Sequence, residues 1–523
     1  GSFVQVDNSL VNRRVSTDVI SRLEDVTSGL IFNRNISGRT NDISIRGQST
    51  LFANTKPLIV IDNFPYDGDL NTINPNDVES MTVLKDAAAA SIWGARAGNG
   101  VIVITTKKGR DNQAPRVSIN TNITKSDKPD LFYAPRMSSS DFIDVEKLLF
   151  DNGYYTATES SINQAPLTPA VELFIAERDG LIDSDEMQQQ LNTLRQQDVR
   201  RDFEKHFYRK SVKQQYALSL NGGSASNKYF VSVGWDRNME SLTANDFDRV
   251  TFNANNTWSL LDNKLEASAG IYYAESNRTS NNMGSDAVRF TTVSPLYPYA
   301  QLKDNNGNNL PITKDYRLGF VQDAQTNDLL NWQYNPLDEI ALADNTGKLT
   351  DYRINAQLNY SIIKGLKAEV LYQYWKSFSQ GRNYRSESTY YVRDLINVFT
   401  QEGVNGSLTN ALPKGGILDM DETNSASHNL RTQLAYTKSW GQHEVNAIGG
   451  YEVKELNTTG TSFRYYGYND ELATSKIVDY VTFYPKYFNT ASVMQIPNFD
   501  SQSSLTDRFL SYYANAAYTF KHR

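Results

Sequence analysis

From residue 116 nearly to the end of the chain, apolar and polar residues alternate with a period of two. Val117, Ile119, Thr121 and Ile123 alternate with Arg116, Ser118, Asn120 and Asn122. Tyr216, Leu218 and Leu220 alternate with Ala217, Ser219 and Asn221, and Tyr229, Val231, Val233 and Trp235 with Phe230, Ser232 and Gly234. Val250, Phe252 and Ala254 alternate with Arg249, Thr251, Asn253 and Asn255. Successive side chains of a strand point to opposite faces, so each stretch predicts a strand with one apolar and one polar side. The pattern recurs near 264–276, 350–362, 366–378, 428–439, 443–456 and 508–520, which makes ten candidate strands.

A soluble sandwich alternates too. Three features favour a membrane barrel. Many stretches run about ten residues or more, enough to cross a bilayer when tilted. Aromatic residues sit near strand ends, as in Tyr229/Trp235 and Tyr372/Tyr374, where interfacial girdles form. Short and long connections also alternate. Short turns fall near 223–226, 260–263, 363–365 and 440–442. Long links fall near 125–211, 238–247, 277–349, 379–427 and 457–507. Short turns on one side and long loops on the other are the outer-membrane pattern. In the first long link, Ser138–Phe150 predicts a serine-capped amphipathic helix and Glu186–Lys205 a second, charged one.

The chain before residue 113 follows a different grammar. Leu58–Ile61 and Val101–Ile104 are short apolar runs bounded by turn residues and predict buried strands. Pro75-Asn76-Asp77-Val78-Glu79 carries acids where a short helix would start. Asp86–Trp93 is alanine-rich and favours helix, and Gly94, Gly98 and Gly100 break it. These elements predict a small α/β unit over residues 1–112. The glycine spacing does not fit a nucleotide loop, and a strand rather than a helix follows it.

The full chain of 523 residues has 59 acidic and 52 basic side chains, a net charge of −7. That balance excludes the basic face of a typical nucleic-acid binder. With no cysteine, disulfides, thiolate metal sites and cysteine nucleophiles are excluded. No apolar run is long enough for a transmembrane helix. No secretory leader opens the chain, which predicts either a cytoplasmic protein or a processed form.

The run from Asn41-Asp42-Ile43-Ser44-Ile45-Arg46-Gly47, through Pro57–Asn63, Ile73–Ser80 and Val83–Gly100, to Thr105–Gly109 resembles the plug domain of the SusC/RagA-like TonB-dependent outer-membrane transporters. Asp130–Met137 and the helix after it extend the resemblance to about residue 155. The resemblance implies residues 1–112 as a plug and 113–523 as the N-terminal part of a transmembrane barrel with long extracellular loops. Large plugged barrels have about 22 strands. Ten strands are therefore about half a wall, and an even count returns Arg523 to the periplasmic side. No TonB-contact segment is recognisable in residues 1–40.

The resemblance also implies location in the bacterial outer membrane and a SusD-like lipoprotein lid. It implies energy from TonB, ExbB and ExbD, contact with outer-membrane lipid, and an assembly as a dimer of transporter–lipoprotein pairs. The cargo it implies is an oligosaccharide or oligopeptide. Iron chelates or cobalamin are the alternative cargo, and an adhesive or structural barrel is the alternative of another class.

The residues implied for the plug core are Arg46, Gly47, Asp62, Pro75, Glu79, Lys85, Asp86, Gly94, Arg96, Gly98 and Gly100. Arg46, Lys85, Asp86 and Arg96 are charges that could pair with the lumen wall. Phe52, Asn54, Phe64, Tyr66 and Asp67, in the loops 48–55 and 64–71, are candidate cargo contacts, with Trp332 and Tyr334 in a later loop. No nucleophile motif appears and the histidines are scattered, so neither an enzyme nor a metal centre is expected, and no cofactor. Asp304–Asn309 reads as a Gly/Asn turn, since its glycine is misplaced for an EF-hand.

Overall fold

The computed structural model describes residues 3–11, 16–24, 27–34, 40–45, 56–85, 93 and 96–520. Seven short strands come first: β1 (Phe3–Asp7), β2 (Leu30–Arg34), β3 (Thr40–Ile45), β4 (Leu58–Ile61), β5 (Phe64–Pro65), β6 (Val78–Leu84) and β7 (Val101–Thr106). Five of them form a sheet in the order β1-β6-β7-β4-β5, parallel between β4 and β7 and antiparallel elsewhere. β2 and β3 pair as a separate hairpin. Val6, Ile61, Ile73, Val78, Met81, Val83, Ile102 and Ile104 form the core on one side of the sheet, with Leu58, Val60, Trp93, Ala97 and Val101 on the other. Both apolar runs predicted as buried strands are buried strands.

Local chemistry sets the turns. Asp62 and Asn63 have φ of 48° and 75° and join β4 to β5, a backbone hand that Asn and Asp tolerate best among residues with a Cβ. The Asp62 carboxylate accepts from the Thr106 amide at 2.9 Å and its hydroxyl at 2.6 Å, tying the turn to the end of β7. Pro75 opens a single helical turn capped by Asn74, whose side chain accepts from the Asn76 amide. Gly100 has φ of 87°, and a Cβ there would meet Ile45 Cδ1 at 2.6 Å. Both the conformation and the space demand glycine.

Ten long strands follow: β8 (Arg116–Ser126), β9 (Ser211–Gly223), β10 (Asn227–Met239), β11 (Asn245–Leu260), β12 (Leu265–Ser280), β13 (Asp344–Ile363), β14 (Leu366–Arg385), β15 (Gly416–Trp440), β16 (His443–Asn469) and β17 (Ser501–Phe520). Each pairs antiparallel with the next, in chain order. Among the described residues, β8 and β17 form the two edges of this sheet and do not pair with each other.

Burial along these strands is inverted relative to a soluble sandwich. Val233, Trp235 and Val250 are 46%, 43% and 46% exposed, whereas Asp236 and Arg249 are each 1% exposed and Asp351 is 0% exposed. A soluble sheet buries its apolar face. A membrane barrel turns that face to lipid and its polar face to the lumen. The α/β unit covers the polar face. No helix among the described residues is long and apolar enough to cross a membrane, and strands need none.

The four short connections fall at 224–226, 261–264, 364–365 and 441–442, where expected. The links 127–210, 281–343, 386–415 and 470–500 are long. The fifth expected long link, 238–247, is only the turn 240–244. There and at β13–β16 the strands run past the apolar band, where both faces are polar and alternation vanishes from the sequence.

The first long link carries α1 (Ser139–Asp151), α2 (Pro169–Arg178), α3 (Ser184–Arg195) and α4 (Val199–His206). The Ser138 cap is as predicted: its hydroxyl accepts from the Asp141 amide at 3.1 Å. The single helix expected over Glu186–Lys205 is instead the pair α3 and α4. Asp198 accepts from the Arg200 amide and starts a new helix, the local competition for backbone donors that makes Asp a capping residue. Ile143, Val171, Phe174, Leu191 and Phe203 pack these helices with Tyr297, Tyr299 and Leu302 of the second long link.

Candidate functional site

The inner α/β unit and the sheet meet along a polar seam. Arg249, on β11, is its centre. Its Nε and Nη2 donate to Asp236 Oδ2 at 2.8 and 2.5 Å. Nη2 also donates to the carbonyl of Thr17 at 3.0 Å, and Nη1 to the carbonyls of Asn71 and Ile73. One guanidinium on the wall therefore holds two separate segments of the inner unit. Its planar fork of fixed donors suits the task better than an ammonium would.

Neighbouring contacts continue the seam. Asn238 donates to Thr17 Oγ1 at 3.1 Å and Arg22 to Gln215 at 3.1 Å. Tyr272 donates to the Thr72 carbonyl at 2.5 Å and accepts from the Asn74 amide at 2.9 Å. Asn74 donates to Thr251 at 3.0 Å. A Cβ at Gly234 would lie 2.2 Å from Asn74 Nδ2, so glycine on the wall is what lets this side chain dock. On β13 and β14, Asp351 accepts from Trp375 Nε1 at 2.6 Å and from the Tyr66 hydroxyl at 3.3 Å. The Arg353 guanidinium stacks on Tyr272 at 4.0 Å and faces Tyr66 at 4.9 Å, a cation–π arrangement favoured by exclusion of water.

Asp77 sits in the seam without a cation hydrogen-bonded to it. Ser232 donates to it at 2.7 Å and Asn253 at 3.5 Å. Burial pushes its carboxyl up to about 6, against the pull of those two bonds and of Lys107. Because the seated group has the higher pKa, it favours the seated state fully below about pH 4. That contribution is lost as pH rises through about 6. Two units correspond to about 3 kcal/mol. Asp77→Asn should therefore flatten the pH dependence of seating between pH 4 and 6. Protease accessibility of the inner unit across that range is the measurement, and an unchanged slope would count against the assignment.

The side of the inner unit near Arg249 holds a cavity of about 670 Å³, lined by Asp18, Lys56, Tyr66, Asp67, Asp69 and Arg96 among others. Arg249 lies near the start of β11, at the end that faces the long links, and donates to the carbonyl of Asn71, which lines this cavity. Asp67 accepts from Arg96 at 2.8 Å and pairs with Lys454 on β16.

Of the plug-core candidates, Asp62, Pro75 and Gly100 hold turns, and Gly98 lies in the turn before Gly100. Glu79 meets Arg110 at 3.4 Å on the exposed side. Lys85 donates to Ser28 at 3.0 Å, and Arg96 pairs with Asp67, both within the unit. Of the cargo candidates, Phe64 and Tyr66 are buried and Asp67 lines the cavity. Trp332 is buried in an aromatic cluster with Tyr316, Phe320 and Phe488, and Tyr334 stacks against Tyr390. Arg46, Gly47, Phe52, Asn54, Asp86 and Gly94 lie outside the described residues, as does all but the end of the helix expected over 86–93. The sequence reading missed Arg249, Asp236, Asp351, Lys454 and Asp77 as a set. Full charges on the polar face of strands otherwise lined with Asn, Ser and Thr were the available signal.

Comparisons with known proteins agree with this architecture. Residues 1–101 match the TonB-dependent Receptor Plug Domain. The TonB-dependent receptor SusC of Bacteroides thetaiotaomicron is 26% identical over 378 residues, covering 69% of this chain and 33% of that protein. A TonB-dependent receptor of Formosa agariphila is 23% identical over 100% of this chain and 42% of its own length. Among solved structures, the RagAB peptide importer in its open-open state superposes with a TM-score of 0.71 at 19% identity, covering 100% of this chain and 53% of that one. The unliganded ferric citrate transporter FecA gives 0.50 at 8% identity. The chain spans a third to two fifths of these curated relatives and about half of the solved chain, whose barrel its ten strands match in part. With an inner unit seated against an inward polar wall, residues 1–101 carry a TonB-dependent receptor plug domain, and the chain along its whole length is similar to TonB-dependent receptors, SusC among them, and shares the fold of about half of the RagAB structure.

Proposed function

We propose that this chain supplies the gate and part of the wall of a TonB-dependent importer for oligosaccharides or oligopeptides. Residues 1–112 act as the plug and 113–523 as wall and loops. A SusD-like surface lipoprotein lids the mouth and delivers cargo, in a dimer of transporter–lipoprotein pairs. The TonB–ExbB–ExbD system supplies the energy by pulling the N-terminal segment.

The observation that carries this reading is the seam. It is made mainly of hydrogen bonds and ion pairs centred on Arg249, with Trp375 of the wall packed edge-on to Tyr66 as its apolar part. Water can replace each such bond, whose net worth is only about 1 kcal/mol. A plug held this way stays seated as a set of contacts yet can be displaced one contact at a time. The contacts nearest the N-terminus, at Thr17 and Arg22, are the first that a pull would load. A peptide cargo is supported by the RagAB peptide importer, whose fold this chain shares in part, while a glycan cargo and the lipoprotein lid rest on the SusC/RagA-like resemblance.

The test is purification of the native protein from the outer membrane, with uptake measured in cells with and without TonB. The expected result is a co-purifying surface lipoprotein and uptake of an oligopeptide or oligosaccharide that stops without TonB. No lipoprotein, together with expression controlled by iron, would move the assignment to chelate uptake.

A further inference from the structure

Above the plug, at the mouth of the lumen, the ends of β12, β13 and β14 and the links 281–343 and 386–415 enclose a second cavity of about 340 Å³. That is at the small end of ligand pockets. Asn345, Asn383 and Arg385 line it. All three share the inward parity of Asp351, Arg353 and Trp375 on the same strands, and Asn345 and Asn383 are direct cross-strand partners. Tyr384 and Tyr391 add aromatic walls.

The charges of this wall are unevenly paired. Asp419, on β15, accepts both edges of Arg464 at 2.5 and 2.7 Å. It also accepts Arg385 Nη1 at 2.7 Å. One carboxylate therefore serves two guanidiniums, whereas Arg382, on the same strand as Arg385, pairs with two carboxylates, Asp344 and Asp470. The Arg385 guanidinium lies over Tyr391 at 4.9 Å, and among the described residues its Nε and Nη2 have no partner. Among the described residues the side-chain amides of Asn345 and Asn383 make no hydrogen bond, and the Ser386 hydroxyl beside Arg385 is buried without a partner. Glu339, on the opposite side, does not supply the missing anion. Its carboxylate accepts from the Tyr390 amide at 2.7 Å and faces Arg393 at 4.0 Å.

A half-used guanidinium, two free amides and flanking tyrosines lack one thing, a planar anion. We propose that this cavity binds a carboxylate on the cargo, with Arg385 as its anchor and Asn345 and Asn383 as flanking donors. The carboxylate belongs either to a peptide, at its C-terminus or an acidic side chain, or to a uronate in an acidic glycan. The inference rests on the importer reading and narrows its cargo to one that carries negative charge. Arg forks match carboxylates bidentately, and such bonds are stronger than neutral ones.

The experiment measures equilibrium binding to the complete purified protein. It uses an acidic oligopeptide against its amidated, neutral counterpart, and an oligogalacturonate against a neutral oligosaccharide of equal length. One acidic probe should bind at least about tenfold tighter than its neutral partner, and the gap should shrink with salt. Which pair shows the gap identifies the source of the carboxylate. R385Q should abolish the gap and R385K keep part of it, and Asn383→Ala should weaken the acidic probe alone. Arg464 still pairs Asp419 in all three variants, so the mouth keeps its fold. Equal affinity for acidic and neutral probes, a gap that survives R385Q, or no binding of either class would overturn the proposal. TonB-dependent uptake measured alongside separates the two readings: uptake retained with no carboxylate preference removes only this subsite.

Discussion

Deleting residues 1–109 from the complete protein should convert a closed channel into an open pore, with barrel insertion retained. The ladder of hydrogen bonds from β8 to β17 runs entirely between wall strands, and none of those backbone pairs involves the plug. What the plug covers is the polar lumen face, including Asp236, Arg249, Asp351 and Arg353. Water can solvate those groups once the plug is gone, as it does in porin lumens. Conductance in planar bilayers is the measurement. A large step in single-channel current relative to the intact protein is expected, and equal conductance would mean that residues 1–109 do not close the lumen.

The second large effect is expected at Arg249. In Arg249→Met the Asp236 carboxylate, its side chain 2% exposed, loses the guanidinium hydrogen-bonded to it, and the carbonyls of Thr17, Asn71 and Ile73 lose their donor. Leaving one member of a buried pair alone costs about 3–5 kcal/mol. Much of that is the stranded charge, so Asp236→Asn combined with Arg249→Met should recover a substantial part. Limited proteolysis after residue 17 reports the release, since that segment is held by Arg249 and Asn238. If the single and double variants are cleaved at the same rate, the ion pair is not what seats the plug.

Much of the fold was legible because its signals are local. Alternation marks a strand whatever it pairs with, so all ten long strands and the four short turns appear where the pattern places them. The errors have local causes too. The link expected at 238–247 shrank to 240–244 because Arg237, Asp246 and Asp248 hide the strand ends from a hydrophobic pattern. The helix expected over Glu186–Lys205 broke because Asp198 caps a new one. The site was less legible. Tyr66 looked like a loop aromatic free to meet cargo, yet its hydroxyl bonds Thr72 at 2.8 Å and its ring packs edge-on to Trp375. Asp67 looked like a loop acid, yet it joins Arg96 of the plug to Lys454 of the wall.

By itself, the sequence determined which residues face lipid and which face inward, because a period of two admits only two faces. It also carried the plug, through a continuous run of short apolar strands and turn residues. Only the tertiary structure decided which inward side chain meets which plug atom. Arg249 stands 232 positions from Thr17 and 178 from Asn71, and no local preference connects residues so far apart. Their meeting depends on how the wall curves around the inner unit, and that curvature lets an arginine on a polar strand face hold two distant segments of that unit.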